Sequence, residues 1–140
     1  MLRTLIVAAS ASLAAAGAHA DCELLSASDA ELVLGLGITD LTGDDAEFQC
    51  MFLGGSPQGT LIVQFADAGY YDQASILPPH TPQDVGDRGR SNIDTNGITA
   101  LQFVKGNKTV TMSARSSSAS DRDYLDAMVE IGNRIAERLE

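Results

Sequence analysis

Five side chains in the middle of the sequence have the chemistry to contact a ligand or an anion: Tyr70, Tyr71, His80, Arg88 and Arg90. The two arginines form a local basic pair in an acidic chain, and an anion-binding role is one interpretation of that pair. The other interpretation is ion pairing with surrounding carboxylates, which we favour because such pairs are common on protein surfaces. All five side chains are kept as candidate contacts.

His80 is the only histidine beyond residue 20, and it lies in a proline-rich segment, Leu77–Pro82. Such a segment forms neither a helix nor a central strand. A histidine can act as a base, but no partner in the sequence marks a catalytic triad or a zinc site. We therefore expect a surface histidine, and we predict no catalytic residue, no metal ligand and no cofactor.

Four carboxylates lie close together between residues 39 and 47: Asp40, Asp44, Asp45 and Glu47. A calcium site is one interpretation. Their spacing does not match an EF-hand loop, which has oxygens at alternate positions and a glycine at the sixth. We favour a solvated turn, and the sequence leaves cation binding open.

The chain has two cysteines, Cys22 and Cys50. In an oxidising compartment the simplest expectation is one disulfide between them. A metal pair or a redox dithiol is the alternative, but the sequence has no C-x-x-C motif and, beyond the first twenty residues, no histidine near either cysteine. The bridge is therefore the favoured prediction.

The first twenty residues have the pattern of a cleaved export signal. Arg3 supplies the positive charge, Leu5–Ala16 is an uncharged apolar run, and Ala18-His19-Ala20 is a small-residue cleavage site. Because Asp21 rather than a small residue precedes Cys22, we expect no lipid anchor.

Cleavage after residue 20 would leave residues 21–140, a length suited to one domain. No later segment is long and apolar enough to cross a membrane. The formal net charge of −10 argues against nucleic acid and anionic membrane surfaces as partners. We therefore predict a single periplasmic or secreted domain whose partner is an unknown small molecule or envelope protein.

The elements that must position these residues begin with a hairpin over Ile98–Arg115, whose turn is Gly106-Asn107. The turn sets a register in which one face of the hairpin is strongly apolar. That face must be packed against another element to be shielded from water. The expected pairs are Phe103 with Val110, Leu101 with Met112, Val104 with Thr109, Gln102 with Thr111, and Ile98 with Arg115.

A helix is predicted at each end of the mature chain. Ser26 is a good N-cap for a short helix with Asp29 at its third position. Ser120 and Asp123 form a similar box before a long C-terminal helix. That helix carries an apolar stripe at helical spacing, formed by Tyr124, Met128, Ile131, Ile135 and Leu139. Gly132 beside the stripe predicts a close approach to the sheet.

Together these patterns predict an α+β fold. An antiparallel sheet of about five strands is packed by the short N-terminal helix and the long C-terminal helix, with one disulfide. The segment Gly59–Ala66 is a candidate edge strand. Residues 67–87 are the least regular part, with a helical turn or two after Gly69.

Three segments carry a resemblance to a known family: the stretch from Cys22 to Gly35, the Val85-Gly86-Asp87 turn, and the hairpin Leu101–Thr111 with its Lys-Gly turn. They are similar to small exported α+β domains of unknown function found in actinobacterial lipoproteins. The same pattern resembles the extracellular sensor domain of a mycobacterial receptor Ser/Thr kinase. The resemblance implies an extracytoplasmic binding or sensing module and brings no catalytic residues.

Three functions follow as hypotheses. The favoured one is an exported, non-enzymatic module that binds a small ligand or a protein. The second is an inhibitor or assembly subunit whose exposed strand edge pairs with a partner. The third is a small hydrolase that uses aspartates or His80. Convergent carboxylates near His80, a deep apolar cavity between sheet and helix, or an unprotected edge strand would distinguish them.

Overall fold

One antiparallel sheet of seven strands dominates the computed structural model of the chain. The described residues are 22–42, 49–56, 58–73, 76, 79–93, 97–116 and 124–139. The strands are β1 (Thr39–Asp40), β2 (Gln49–Gly54), β3 (Gly59–Asp67), β4 (Thr81–Gln83), β5 (Arg88–Ile93), β6 (Thr99–Lys105) and β7 (Lys108–Ser116). Their spatial order is β1-β2-β3-β7-β6-β5-β4. The helices are α1 (Ala27–Leu34), α2 (Leu125–Arg138) and a 3₁₀ helix (Ala68–Gln73).

The predicted sheet of about five strands is wrong, because two short edge strands left no periodic signal. β1 has two residues in the acidic loop and β4 has three in the proline-rich segment. Neither is long enough to show alternation, and both form by pairing with a longer neighbour. Pro82 fits in β4 because an edge strand tolerates a missing N–H group. The described chain is therefore mostly sheet, which corrects the predicted fold class.

The predicted register of the β6–β7 hairpin is confirmed. Gly106 has a φ of +59° in the two-residue turn between Lys105 and Lys108, a conformation that suits glycine. β6 begins one residue after Ile98, so the ladder starts just beyond the expected pair of Ile98 with Arg115. The other expected pairs are all found: Phe103 with Val110, Leu101 with Met112, Val104 with Thr109, and Gln102 with Thr111.

β3 lies inside the sheet, so the prediction of Gly59–Ala66 as an edge strand is wrong. It pairs with β2 on one side and with β7 along its whole length on the other. The edges are the short strands β1 and β4. Beyond β1, the backbone N–H of Met51 donates to Thr42 Oγ1, and the carbonyl oxygen of Met51 accepts from the backbone N–H of Leu41. These two hydrogen bonds shield that side of β2.

The inner face of the sheet and the two helices enclose the core. Alternate residues of β2 and β3 point to this face and are buried. The buried inner-face residues of the long strands are Cys50, Phe52, Leu61, Val63, Phe65, Leu101, Phe103, Val110, Met112 and Ala114. Met128, Ile131 and Ile135 of α2 join the same core, which confirms the predicted stripe. The predicted cap of α2 at Ser120 and Asp123 lies outside the described residues.

The predicted disulfide between Cys22 and Cys50 is confirmed, with a Cα–Cα distance of 5.6 Å and a sequence separation of 28. It joins the residues before α1 to the core side of β2. A bridge that closes a loop of this length contributes about 3–4 kcal/mol to stability.

Within the described ranges no helix has the length and apolar character needed to span a membrane. The predicted export signal lies outside those ranges.

Asp29 connects the two helices. Its backbone N–H donates to Ser26 Oγ at 3.2 Å and its carboxylate accepts from the Ser26 N–H at 2.9 Å, the predicted capping box. The Asp29 side chain is 2% exposed and accepts from Arg138 Nη1 at 2.8 Å, with Arg134 Nη1 at 3.4 Å. Burial raises the pKa of Asp29, but hydrogen bonds from Arg138 and Ser26 outweigh burial and hold the pKa below its usual value.

Gly132 lets α2 approach the sheet, as predicted. A Cβ atom added at Gly132 would lie 2.9 Å from Val85 Cγ2 and 3.2 Å from Phe103 Cε1. Valine is stiff about χ1, and Phe103 is fully buried, so neither neighbour can move away easily. The helix–sheet interface is therefore closely packed at this point. The ligand-binding hypothesis expected an apolar cavity between the sheet and the helix.

The Gly132→Ala variant should lower the free energy of unfolding by about 1–2 kcal/mol. Overpacking against Val85 and Phe103 should exceed the helix-propensity gain of about 1 kcal/mol. Urea denaturation measures the difference. Gly69→Ala is the matched control, because a Cβ at exposed Gly69 would meet only Asp67 Oδ1 at 3.8 Å. A Gly132→Ala protein more stable than the wild type would contradict the close approach.

The Asp29→Asn variant should be less stable than the wild type by about 1.5–3 kcal/mol at pH 7, since it loses charged hydrogen bonds. The folded state lowers the pKa of Asp29, so this stabilisation is complete above the unfolded-state pKa. It is lost as the pH falls through the folded-state pKa. Urea denaturation from pH 7 to pH 2 should therefore show the two proteins converging, whereas the exposed Glu137→Gln control should follow the wild type. A constant difference at all pH values would refute this role.

Candidate functional site on the outer face of the sheet

The outer face of the sheet points away from α1 and α2 and is the candidate binding surface. The strand registers align its side chains in rows that cross the strands. One row spans five strands and is polar throughout, and we call it the polar row: Gln49, Gln64, Thr111, Gln102 and Arg90, on β2, β3, β7, β6 and β5. The polar row divides the outer face into two halves.

Hydrogen bonds run along the polar row. Gln64 Nε2 donates to Gln49 Oε1 at 3.1 Å, and Gln102 Nε2 donates to Thr111 Oγ1 at 2.9 Å. Arg90 donates to Gln102 Oε1 from Nη2 at 2.6 Å and from Nε at 3.1 Å. Gln102 is fully buried, so these bonds replace the water contacts that its amide loses on folding.

The 3₁₀ helix covers the half of the outer face nearest the β6–β7 turn. Thr109 Oγ1 donates to the carbonyl oxygen of Ala68 at 3.2 Å, and Arg90 Nη2 donates to the carbonyl oxygen of Tyr71. Tyr71 and Val104 are both buried in this half. The 3₁₀ helix therefore shields the apolar residues there from water.

Three of the predicted contact residues meet beside the 3₁₀ helix. The guanidinium carbons of Arg88 and Arg90 lie 4.6 Å and 4.1 Å from the centroid of the Tyr71 ring, within cation–π range. Arg88 also forms an ion pair with Asp72 at 3.6 Å, as the favoured interpretation expected. Arg90 binds amide and carbonyl oxygens instead of a carboxylate. Both arginines thus have partners within the protein, and their role as ligand contacts stays a prediction.

The other two predicted contacts lie apart from that cluster. Tyr70 lines a second cavity of about 480 Å³ together with Gln64, Asp67 and Gln73. His80 Nε2 lies 2.9 Å from the carbonyl oxygen of Ile76. In the part of the chain that the structure describes, no three His, Cys, Asp or Glu side chains are grouped so as to hold a metal ion. Asp44, Asp45 and Glu47 of the acidic loop lie outside that part.

The other half of the outer face is open and forms a groove. This outer groove is lined by Leu53, Gln58, Thr60, Ile62, Ile98, Ser113 and Arg115 and has a volume of about 360 Å³. Three of these residues, Leu53, Ile62 and Ile98, are half-buried and apolar. Volumes of about 300–1,000 Å³ are typical of small-molecule sites. The outer groove has the size and surface of a site for a small, partly apolar molecule.

Arg115 is the charged residue of the outer groove. It lies on β7 directly opposite Thr60 of β3, and Thr60 lies opposite Leu53 of β2. The Arg115 side chain is exposed, and no ion pair or side-chain hydrogen bond joins it to another described residue. By contrast, Arg134 and Arg138 both bind Asp29. Among the arginines of the described ranges, Arg115 is the one that lines the outer groove and has no protein partner.

The sequence patterns indicate Arg88 and Arg90 as candidate ligand contacts but do not indicate Arg115. The predicted register puts Arg115 opposite Ile98, on the less apolar face of the hairpin. The missing information was the position of β3, because the groove exists only where β3 and β7 lie side by side. Local hairpin signals do not reveal which distant strands become neighbours.

No family model, no curated protein and no solved structure matches the chain. The resemblance to exported actinobacterial domains and to a kinase sensor domain therefore stays a prediction.

The Arg90→Ala variant should lower the free energy of unfolding by about 2–3 kcal/mol, because it leaves the buried Gln102 oxygen and the Tyr71 carbonyl without their charged donor. Arg88→Ala is the matched control. It removes an exposed ion pair and should change stability by less than about 1 kcal/mol. Urea denaturation gives both values, and limited proteolysis should show faster cleavage near residues 68–80 in Arg90→Ala only. Equal effects of the two substitutions would contradict the structural role of Arg90.

Proposed function

We propose that the chain is an exported, non-enzymatic binding module of the bacterial envelope, periplasmic or secreted, that holds a small ligand in the outer groove. The observation that carries this proposal is the groove itself. It combines half-buried Leu53, Ile62 and Ile98 with the hydroxyl groups of Thr60 and Ser113 and the guanidinium of Arg115. An apolar surface with a few polar groups that fix orientation is typical of ligand sites.

The covalent framework supports an oxidising compartment for this module. The Cys22–Cys50 bridge is of the kind that persists outside the cytosol. An export signal at residues 1–20 fits the same location. These features are the basis for proposing the periplasm or the external medium.

Binding is favoured over catalysis by the chemistry of the outer groove. Its lining residues supply hydroxyl, amide and guanidinium groups, whereas the hydrolase hypothesis needs a base and a nucleophile within reach of each other. His80 lies elsewhere and contacts a backbone carbonyl. The edge-strand hypothesis is disfavoured because β4 is short and contains Pro82.

Native mass spectrometry of protein recovered from its own periplasm or medium tests this function. We expect a chain that begins at Asp21, contains the Cys22–Cys50 bridge and carries a bound small mass. Ser113→Phe should abolish the bound mass, because its ring fills the groove while an aromatic residue suits a strand. Ile93→Phe is the matched control, since Ile93 is an exposed strand residue outside the groove.

Thermal unfolding of both variants shows whether each still folds. A folded wild-type protein with no bound mass would contradict ligand binding. A bound mass that persists in a folded Ser113→Phe protein would place the ligand somewhere other than the outer groove.

A further inference from the structure

We infer that the ligand of the outer groove is a small aliphatic carboxylate, with its carboxylate on Arg115 and its alkyl chain on Leu53, Ile62 and Ile98. This inference rests on the proposed function and names the chemical class that the site would take. It follows from the position of one available cation beside an apolar surface.

Arg115 lies in a row that continues through Thr60 to Leu53, and Ile98, just before β6, lies on the other side of Arg115. Neighbouring strands lie about 4.8 Å apart, so the Cα atom of Arg115 lies roughly 10 Å from that of Leu53. The next row holds Ser113 of β7 opposite Ile62 of β3. A molecule with its anionic group on Arg115 therefore has hydroxyl groups and aliphatic side chains within reach in both rows.

The charge of the site selects a monoanion. The whole chain has a formal net charge of −10, which repels anions at long range, so an anion needs a specific local partner. Among the described residues that line the groove, Arg115 is the basic one. One guanidinium matches one carboxylate through two parallel hydrogen bonds. A doubly charged phosphate would leave one negative charge without a partner in an acidic protein.

The apolar residues of the groove select the rest of the molecule. Leu53, Ile62 and Ile98 present branched aliphatic side chains, and none of the described lining residues is an aromatic one that could stack on a sugar or a base. A cavity of about 360 Å³ lies near the lower end of the range for small-molecule sites. A short alkyl chain therefore fits the groove better than a sugar, a nucleotide or a long lipid.

Octanoate is the probe for this inference, with octanol and octylamine as neutral and cationic molecules of the same length. Titration of the ¹⁵N-labelled, disulfide-bonded chain should shift amide signals of β2, β3 and β7 around the groove. Octanoate should bind at least about tenfold more tightly than octanol, since only octanoate forms charged hydrogen bonds with Arg115. Octylamine should produce no shifts at those amides.

Arg115→Gln should weaken octanoate binding by about tenfold or more and leave octanol binding unchanged. Arg115→Lys should restore part of the affinity, since it keeps the charge but loses the paired geometry. Arg88→Gln is the matched control and should bind octanoate as the wild type does, because Arg88 lies in the other half of the outer face. The amide spectra of all variants report whether they remain folded.

Equal binding of octanol and octanoate, or an unchanged affinity in a folded Arg115→Gln protein, would overturn the carboxylate inference while leaving a groove that binds small molecules. The same holds if the mass found by native spectrometry is that of a neutral or cationic compound. Binding of a peptide at these amides in place of octanoate would also overturn it. The proposed function itself fails only if the wild-type groove carries no small molecule.

Discussion

The packing of α2 against the inner face of the sheet is the constraint on which the rest of the structure depends. Met128, Ile131 and Ile135 share one core with the buried residues of the sheet, the helix packs chiefly on β6, and Gly132 brings the helix close enough for that contact. Burial of this apolar surface is the main favourable contribution to folding in a chain of this size. Both α-helices lie on the inner face, where α1 is held by the Asp29 carboxylate and the disulfide. The outer face of the sheet is therefore left for other uses.

The outer face is divided by chemistry. The polar row forms hydrogen bonds between β2 and β3 and between β7, β6 and β5, and the 3₁₀ helix covers Tyr71 and Val104 on one side of it. That side also holds the cavity beside Tyr70. On the other side of the row lies the outer groove, which is lined by aliphatic side chains and Arg115. The strands beneath the groove belong to the core, so they provide a rigid floor for a ligand. The proposed binding function uses that floor.

Short-range signals in the sequence predicted the elements with strong periodicity. The β6–β7 register followed from alternation around Gly106-Asn107, and the α1 cap followed from Ser26 and Asp29. Contacts between distant parts of the chain were not predictable in this way. Asp29 and Arg138 are 109 residues apart, and β3 lies beside β7 because of the overall strand order. The outer groove and Arg115 belong to this second class, whereas Arg88 and Arg90 were visible because they stand close together in sequence.

Native-state hydrogen exchange tests most directly whether α2 and the central strands form one cooperative core. The account predicts that amides in the middle of α2 and in β3, β6 and β7 exchange only through global unfolding, with the same free energy and the same dependence on denaturant. Exchange of the α2 amides through a local opening of much lower free energy, while the strands remain protected, would contradict it. In that case the inner face would also be accessible, and the outer face would no longer be the one open face of the sheet.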